Sequence, residues 1–164
     1  MATTYTLISS VTVGSGGAAN IEFTSIPATY TDLVLKLSQR NTTGGNVVDV
    51  VSVTFNSTSP ATGRVLTGNG SSAGSTTSTR LGVGNGSSST ATTFNNLEVY
   101  IPNYTSSNYK SFSADSVTEN NATDAGQNLV AGLWENTSAI TSISLSSSTF
   151  AQYSTAYLYG ISNA

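Results

Sequence analysis

Between residues 32 and 40 the chain reads DLVLKLSQR, where Leu33, Leu35 and Leu37 alternate with Val34, Lys36 and Ser38. A period of two marks a strand, because successive side chains leave a pleated backbone on opposite faces. The run predicts a strand whose leucines fill a core while its other face meets water or a neighbouring molecule. The preceding SIPATY holds Pro27, which ends the strand before it.

The same reading along the chain places strands at 4–13, 20–26, 32–40, 47–55, 94–102, 108–117, 127–134, 139–147 and 154–161. The stretch 47–55, VVDVVSVTF, is β-branched enough for a buried strand. A short helical turn near 121–127 is the one helix the pattern allows. Many short strands with turn residues between them predict an all-β fold. The expectation is a single-domain antiparallel β-sandwich over residues 1–164, jelly-roll-like, with one long Gly/Ser/Thr-rich excursion at about 56–93.

Composition supports this. Charged residues are 8% of the chain, against about 25% in an average globular protein. The surface must be built from hydroxyls and amides, and Ser and Thr are poor helix-interior residues. Net charge is −3, spread over eight acids and five bases with no run of either sign. That leaves no basic patch for nucleic acid and no basic amphipathic stretch for a membrane surface. No apolar run approaches the roughly 20 residues of a membrane-spanning helix. Cysteine is absent, which excludes disulfides and thiolate metal sites. The opening MATTYTLISS lacks a basic segment and a long apolar core, so production in the cytoplasm of whatever cell makes the chain is expected.

Within the excursion, TGNGSS (67–72) recurs as VGNGSS (83–88), each centred on Asn-Gly. Asn-Gly favours type I′ hairpin turns, which need positive φ at both central residues. A phosphate-binding loop would need a strand before it and a helix after it, and SSSTATT opens no helix. The segment reads as an extended excursion, ordered by contacts with neighbours.

Chemistry has few candidates. Histidine is absent, removing the commonest general base and the Ser–His nucleophile. Asp115, Glu119 and Asp124 cluster between two strands and are the candidates for a carboxylate pair in glycoside hydrolysis. With Asn121 they offer the hard oxygens of a Ca²⁺ loop, but EF-hand spacing is missing. A solvated loop is the simpler account of both, so no catalytic residue, metal or cofactor is expected. N-x-S/T triplets begin at Asn41, Asn56, Asn69, Asn85, Asn103, Asn121 and Asn136, as chance gives in a chain this rich in Asn, Ser and Thr.

Aromatic residues point to contact rather than catalysis. Trp134 follows the alternating Leu129, Ala131 and Leu133 but falls on the opposite face, with Val130. A sugar-stacking platform is one reading of it; a packed sandwich residue is the other. Tyr100, Tyr104, Tyr109, Tyr157 and Tyr159 form the candidate interface set. A phenol can cover its ring and keep its tip wet, and tyrosine is enriched at protein interfaces.

The stretches SIPATYTDLVLKLSQR, GNGSS, YIPNYTSSNYKSFS, TENNAT, LVAGLWENTSAITSISL and FAQYSTAYLYGI resemble small virion proteins of tailed bacteriophages, especially phages of aquatic bacteria and cyanobacteria. The resemblance covers nearly the whole chain. It implies a non-enzymatic capsid decoration (cement) protein on the outer head surface. Its implied partners are the major capsid protein and copies of itself, as a homotrimer. The alternative it implies is a fibre or tail-tip module that binds host surface glycan. With the first strand so close to Met1, no fibre-attachment segment is expected, which favours decoration.

Overall fold

The computed structural model describes residues 4–120 and 124–162. It holds twelve strands: β1 (Tyr5–Thr12), β2 (Ala18–Phe23), β3 (Asp32–Ser38), β4 (Val48–Phe55), β5 (Thr62–Gly68), β6 (Ala73–Thr77), β7 (Gly82–Asn85), β8 (Asn96–Ile101), β9 (Lys110–Glu119), β10 (Ala125–Trp134), β11 (Ile143–Phe150) and β12 (Thr155–Ile161). Among the described residues there is no helix, hence none long and apolar enough to cross a membrane. The helical turn expected near 121–127 falls partly outside the described residues, and from Ala125 onward the chain is already β10.

The strands form two antiparallel sheets, one of eight in the order β1-β12-β3-β8-β9-β10-β5-β6 and one of four in the order β2-β11-β4-β7. Set aside β5, β6, β9 and β10, and eight strands remain in two sheets of four. Among them first pairs with last, β2 with β11, β3 with β8, and β4 with β7. This is a long hairpin wrapped into two sheets, the jelly-roll arrangement. The additional four strands all extend the larger sheet beyond β8.

The core lies between the sheets. Leu33, Leu35 and Leu37 are at most 2% exposed, and they meet Val53, Phe55, Ile143 and Leu145 from the smaller sheet. The alternation expected of β3 therefore holds on its inner face. Its outer face is mixed: Val34 is buried between its cross-strand neighbours Tyr159 and Tyr100, while Lys36 stands in solvent. β4 is buried on one face only, because Val48 and Val50 point out of the smaller sheet.

The excursion expected at 56–93 is instead part of the sandwich. It supplies β5 and β6 to the larger sheet and β7 to the smaller one, and Val65, Leu81 and Val83 are buried. TGNGSS does form a hairpin, between β5 and β6. Positive φ falls on Gly70 alone, at 84°, so this is not the type I′ turn expected. The Asn69 side chain holds the turn instead, its Oδ1 accepting from the backbone N–H groups of Ser71 (3.1 Å) and Ser72 (2.8 Å). VGNGSS makes no hairpin. There Gly84 lies directly beneath the Gln39 side chain, where any Cβ would collide. Asn85 is buried and donates to Thr93 Oγ1 (2.9 Å) and the Glu119 carbonyl (3.2 Å).

Candidate functional site

Cross-strand register aligns the side chains that leave the outer face of the larger sheet. One row runs Leu7, Tyr159, Val34, Tyr100, Ser113, Ala131, Arg64 and Thr77. The next runs Ser10, Tyr157, Lys36, Glu98, Asp115, Leu129, Leu66 and Ser75. Large apolar groups stand exposed along these rows and beside them: Tyr5, Leu7, Tyr100, Val117, Leu129, Tyr157 and Leu66, the last at 58%. The outer face of the smaller sheet is different in kind. It carries Asn20, Glu22, Ser144, Ser146, Ser52 and Thr54, with Val48 and Val50 at one end.

A trough of about 420 Å³ runs along β9 on the larger face. Small side chains make its floor, Ser113 and Asp115, because the neighbouring strands carry larger ones. Asn96, Glu98 and Tyr100 of β8, with Lys36 behind them, form one wall, and Leu129 of β10 forms the other. Tyr100 is held rigid as a wall residue. Its hydroxyl donates to Asp32 Oδ2 at 2.8 Å, and the other oxygen of that buried carboxylate accepts from the Asn103 N–H at 2.8 Å. The Asp32 hydrogen bond, aided by lost solvation, raises the Tyr100 phenol above its ordinary 10.0.

Charge in the trough is limited. Lys36 and Glu98 form an ion pair at 2.5 Å, both side chains about half exposed. Its hydrogen bond and its charge raise the Lys36 ammonium above 10.5. Asp115 lies directly across from Glu98 on the next strand, a like-charge pairing that a sheet does not favour for its own stability.

Four members of the tyrosine set stand at the surface, and one does not. Tyr100, Tyr157 and Tyr159 share the larger face, where Tyr159 meets Tyr5 edge-to-face with ring centroids 6.3 Å apart. Tyr109 is exposed in the turn before β9. Tyr104 is a correction: it is wholly buried, donating its hydroxyl to the Pro27 carbonyl and accepting from the Tyr30 N–H at 3.4 Å. Burial raises its phenol. The turn containing it folds back against the chain before β3, which strand periodicity does not reveal.

Trp134 is likewise no sugar platform, being 1% exposed and edge-on to Phe55 at 5.8 Å. The Lys110 ammonium sits 5.6 Å from its ring, donating to the carbonyls of Ser106 (2.6 Å) and Asn136 (3.2 Å). Burial lowers the Lys110 pKa. This lysine ties two loops to the end of the sandwich.

The candidate catalytic acids are not brought together. Asp115 and Glu119 lie on β9 four residues apart, roughly 13 Å along a strand, beyond the ~5–9.5 Å that separates glycosidase carboxylates. Asp124 belongs to the β9–β10 turn, where its N–H donates to Asn120 Oδ1 at 3.1 Å. Asn121, the remaining member of the Ca²⁺ set, lies outside the described residues. Among the described residues no group of three or more acids gathers to hold a metal ion. Asn41 and Asn85, two of the glycosylation triplets, are fully buried.

Sequence reasoning missed Tyr5, Leu7, Leu66, Val117 and Leu129 as surface residues. The available signal was Trp134 and Val130 on the face opposite Leu129, since an indole is the costlier group to leave in water. Comparisons with protein-family models, with characterised proteins and with solved structures gave no match to this chain.

Proposed function

We propose that this chain is a non-enzymatic structural component of a bacteriophage particle, a decoration protein that docks on the major capsid protein through the outer face of its larger sheet. The observation that carries the reading is the concentration of exposed Tyr, Leu and Val on that one face, against Ser, Thr and Asn on most of the opposite one. Eight strands spaced by ~4.8 Å, each running ~20 Å across this face, present roughly 700 Å², close to the ~800 Å² each partner contributes to a standard interface. The jelly roll also suits the role, since capsid and lectin domains use it, and the resemblance to small virion proteins points the same way.

Particles lacking the protein test this. Decoration adds binding energy to an assembled shell, summed over many copies. Heads without it should assemble yet release their genome at lower temperature, and adding back protein should restore them. Leu66→Asp together with Leu129→Asp should abolish the restoration. Heads of unchanged heat resistance would refute the proposal.

The trough beside Tyr100 favours one second reading, a host-glycan site. A rigid aromatic wall next to the Glu98 and Asp115 carboxylates offers a ring for a sugar's CH face and acceptors for its hydroxyls. Under that reading, particles lacking the protein keep their heat resistance and lose adsorption to cells.

A further inference from the structure

Four strands stand at sheet edges: β1 and β6 in the larger sheet, β2 and β7 in the smaller. An edge leaves a row of backbone N–H and C=O groups unpaired, and folded proteins blunt such rows with charge, proline, bulges or a covering segment. Three of these edges are blunted. β7 is buried throughout, and residues 40 and 41 pair with its last residue, the Asn41 N–H donating to the Asn85 carbonyl at 2.9 Å. β1 has a register break between Leu7 and Ser9. β2 presents Glu22, and its pairing with β11 breaks between Ser146 and Phe150.

Among the described residues β6 has no such device. Its sequence AGSTT contains no charge and no proline, and it pairs with β5 in unbroken register from Gly68↔Ala73 to Arg64↔Thr77. All five of its residues are exposed, so it contributes nothing to the core. Gly74 is also unexplained within one copy. Its φ lies outside the left-handed region, and an added Cβ would meet only Thr67 Oγ1, at an ordinary 3.7 Å. Glycine inside a strand often marks a bulge, a sharp bend, or the close approach of a ligand or another backbone, and the β5–β6 pairing has no bulge.

We infer that β6 is a self-pairing edge, joining two copies antiparallel about a two-fold axis centred near Ser75 and fusing their larger sheets into one. A second copy fits this edge for two reasons. The strand is uncharged, so the two-fold brings no like charges together. An axis normal to the sheet continues its antiparallel order and leaves both outer faces on the same side, so that two docking faces address one surface. The pairing stands whatever that face binds. Five residues make a contact well below the ~1,200 Å² of a standard interface, so the pair is weak in dilute solution and is favoured where copies are concentrated.

Sedimentation of the full chain over a concentration series into the millimolar range tests it, with Ser75→Lys and Ser75→Glu as variants. Wild type should show a monomer–dimer equilibrium. Each variant places like charges directly opposite one another and should weaken the dimer by about fivefold, while an equimolar mixture of the two should regain wild-type association. Because β6 buries no side chain, both variants should keep the wild-type melting temperature. A wild type that is monomeric throughout, a trimer, or a dimer that neither variant weakens would each overturn the inference.

Discussion

Replacing Leu35 by aspartate puts a carboxylate between the two sheets, where the surrounding groups are Val53, Phe55, Leu81, Val99, Ile101 and Ile143. None of these can donate a hydrogen bond. Leu35 is 1% exposed, so truncation to alanine alone should cost about 2–5 kcal/mol in lost transfer energy and residual cavity. For a chain of this length that is a fall of roughly 5–20 °C in melting temperature. The aspartate adds the penalty of an unpaired buried charge, several kcal/mol more, which together rivals a total stability of about 5–15 kcal/mol. Lys36→Asp, one residue on, removes an exposed ion pair worth roughly 0–1 kcal/mol and sets a third carboxylate beside Glu98 and Asp115. It should cost no more than about 1–2 kcal/mol. The assay is urea denaturation followed by the fluorescence of Trp134, the single tryptophan and fully buried. Leu35→Ala should lower the midpoint clearly, Leu35→Asp should yield no folded protein, and Lys36→Asp should stay near wild type. A Leu35→Asp protein with a wild-type midpoint would refute the assignment of this face to the core.

Deleting the segment between Asn56 and Thr93 should abolish soluble folding, since it removes Val65, Leu81, Val83 and all of β7; a folded deletion variant in circular dichroism would contradict the fold. Gly132→Val should destabilise by at least ~1–3 kcal/mol in the same urea assay, because the Phe112 ring occupies the space its Cβ needs. Tyr100→Phe leaves the Asp32 carboxylate, among the described residues, with the Asn103 N–H alone and should cost roughly 1–3 kcal/mol at neutral pH. The same variant carries a pH signature. A phenol raised above 10.0 in the folded state contributes its full stability below pH 10 and loses it as pH climbs through the folded value. Melting temperature should therefore fall less steeply above pH 10 in Tyr100→Phe than in wild type, and equal slopes would argue against the Asp32 bond.

What the chain alone determined is the set of elements whose residues alternate between apolar and polar. Leu33, Leu35 and Leu37 specify a strand and its buried face together, because a pleated backbone offers only two faces and water accepts only one of them. The same logic recovers β8, where Leu97, Val99 and Ile101 are buried against Asn96, Glu98 and Tyr100. It fails for β5 to β7, whose strands are largely Gly, Ser and Thr. Such residues carry little hydrophobic contrast, so nothing in their order announces a face. The two Asn-Gly hexapeptides make the point most directly. TGNGSS and VGNGSS have the same local preferences, yet one turns a hairpin and the other forms the buried edge of the smaller sheet. Only tertiary packing separates them: Gln39 lies over Gly84, and the Thr93 hydroxyl and Glu119 carbonyl receive the Asn85 amide. Partners 8 to 45 residues away supply these contacts, and the free energy of burying a polar side chain depends on such partners rather than on the residues beside it.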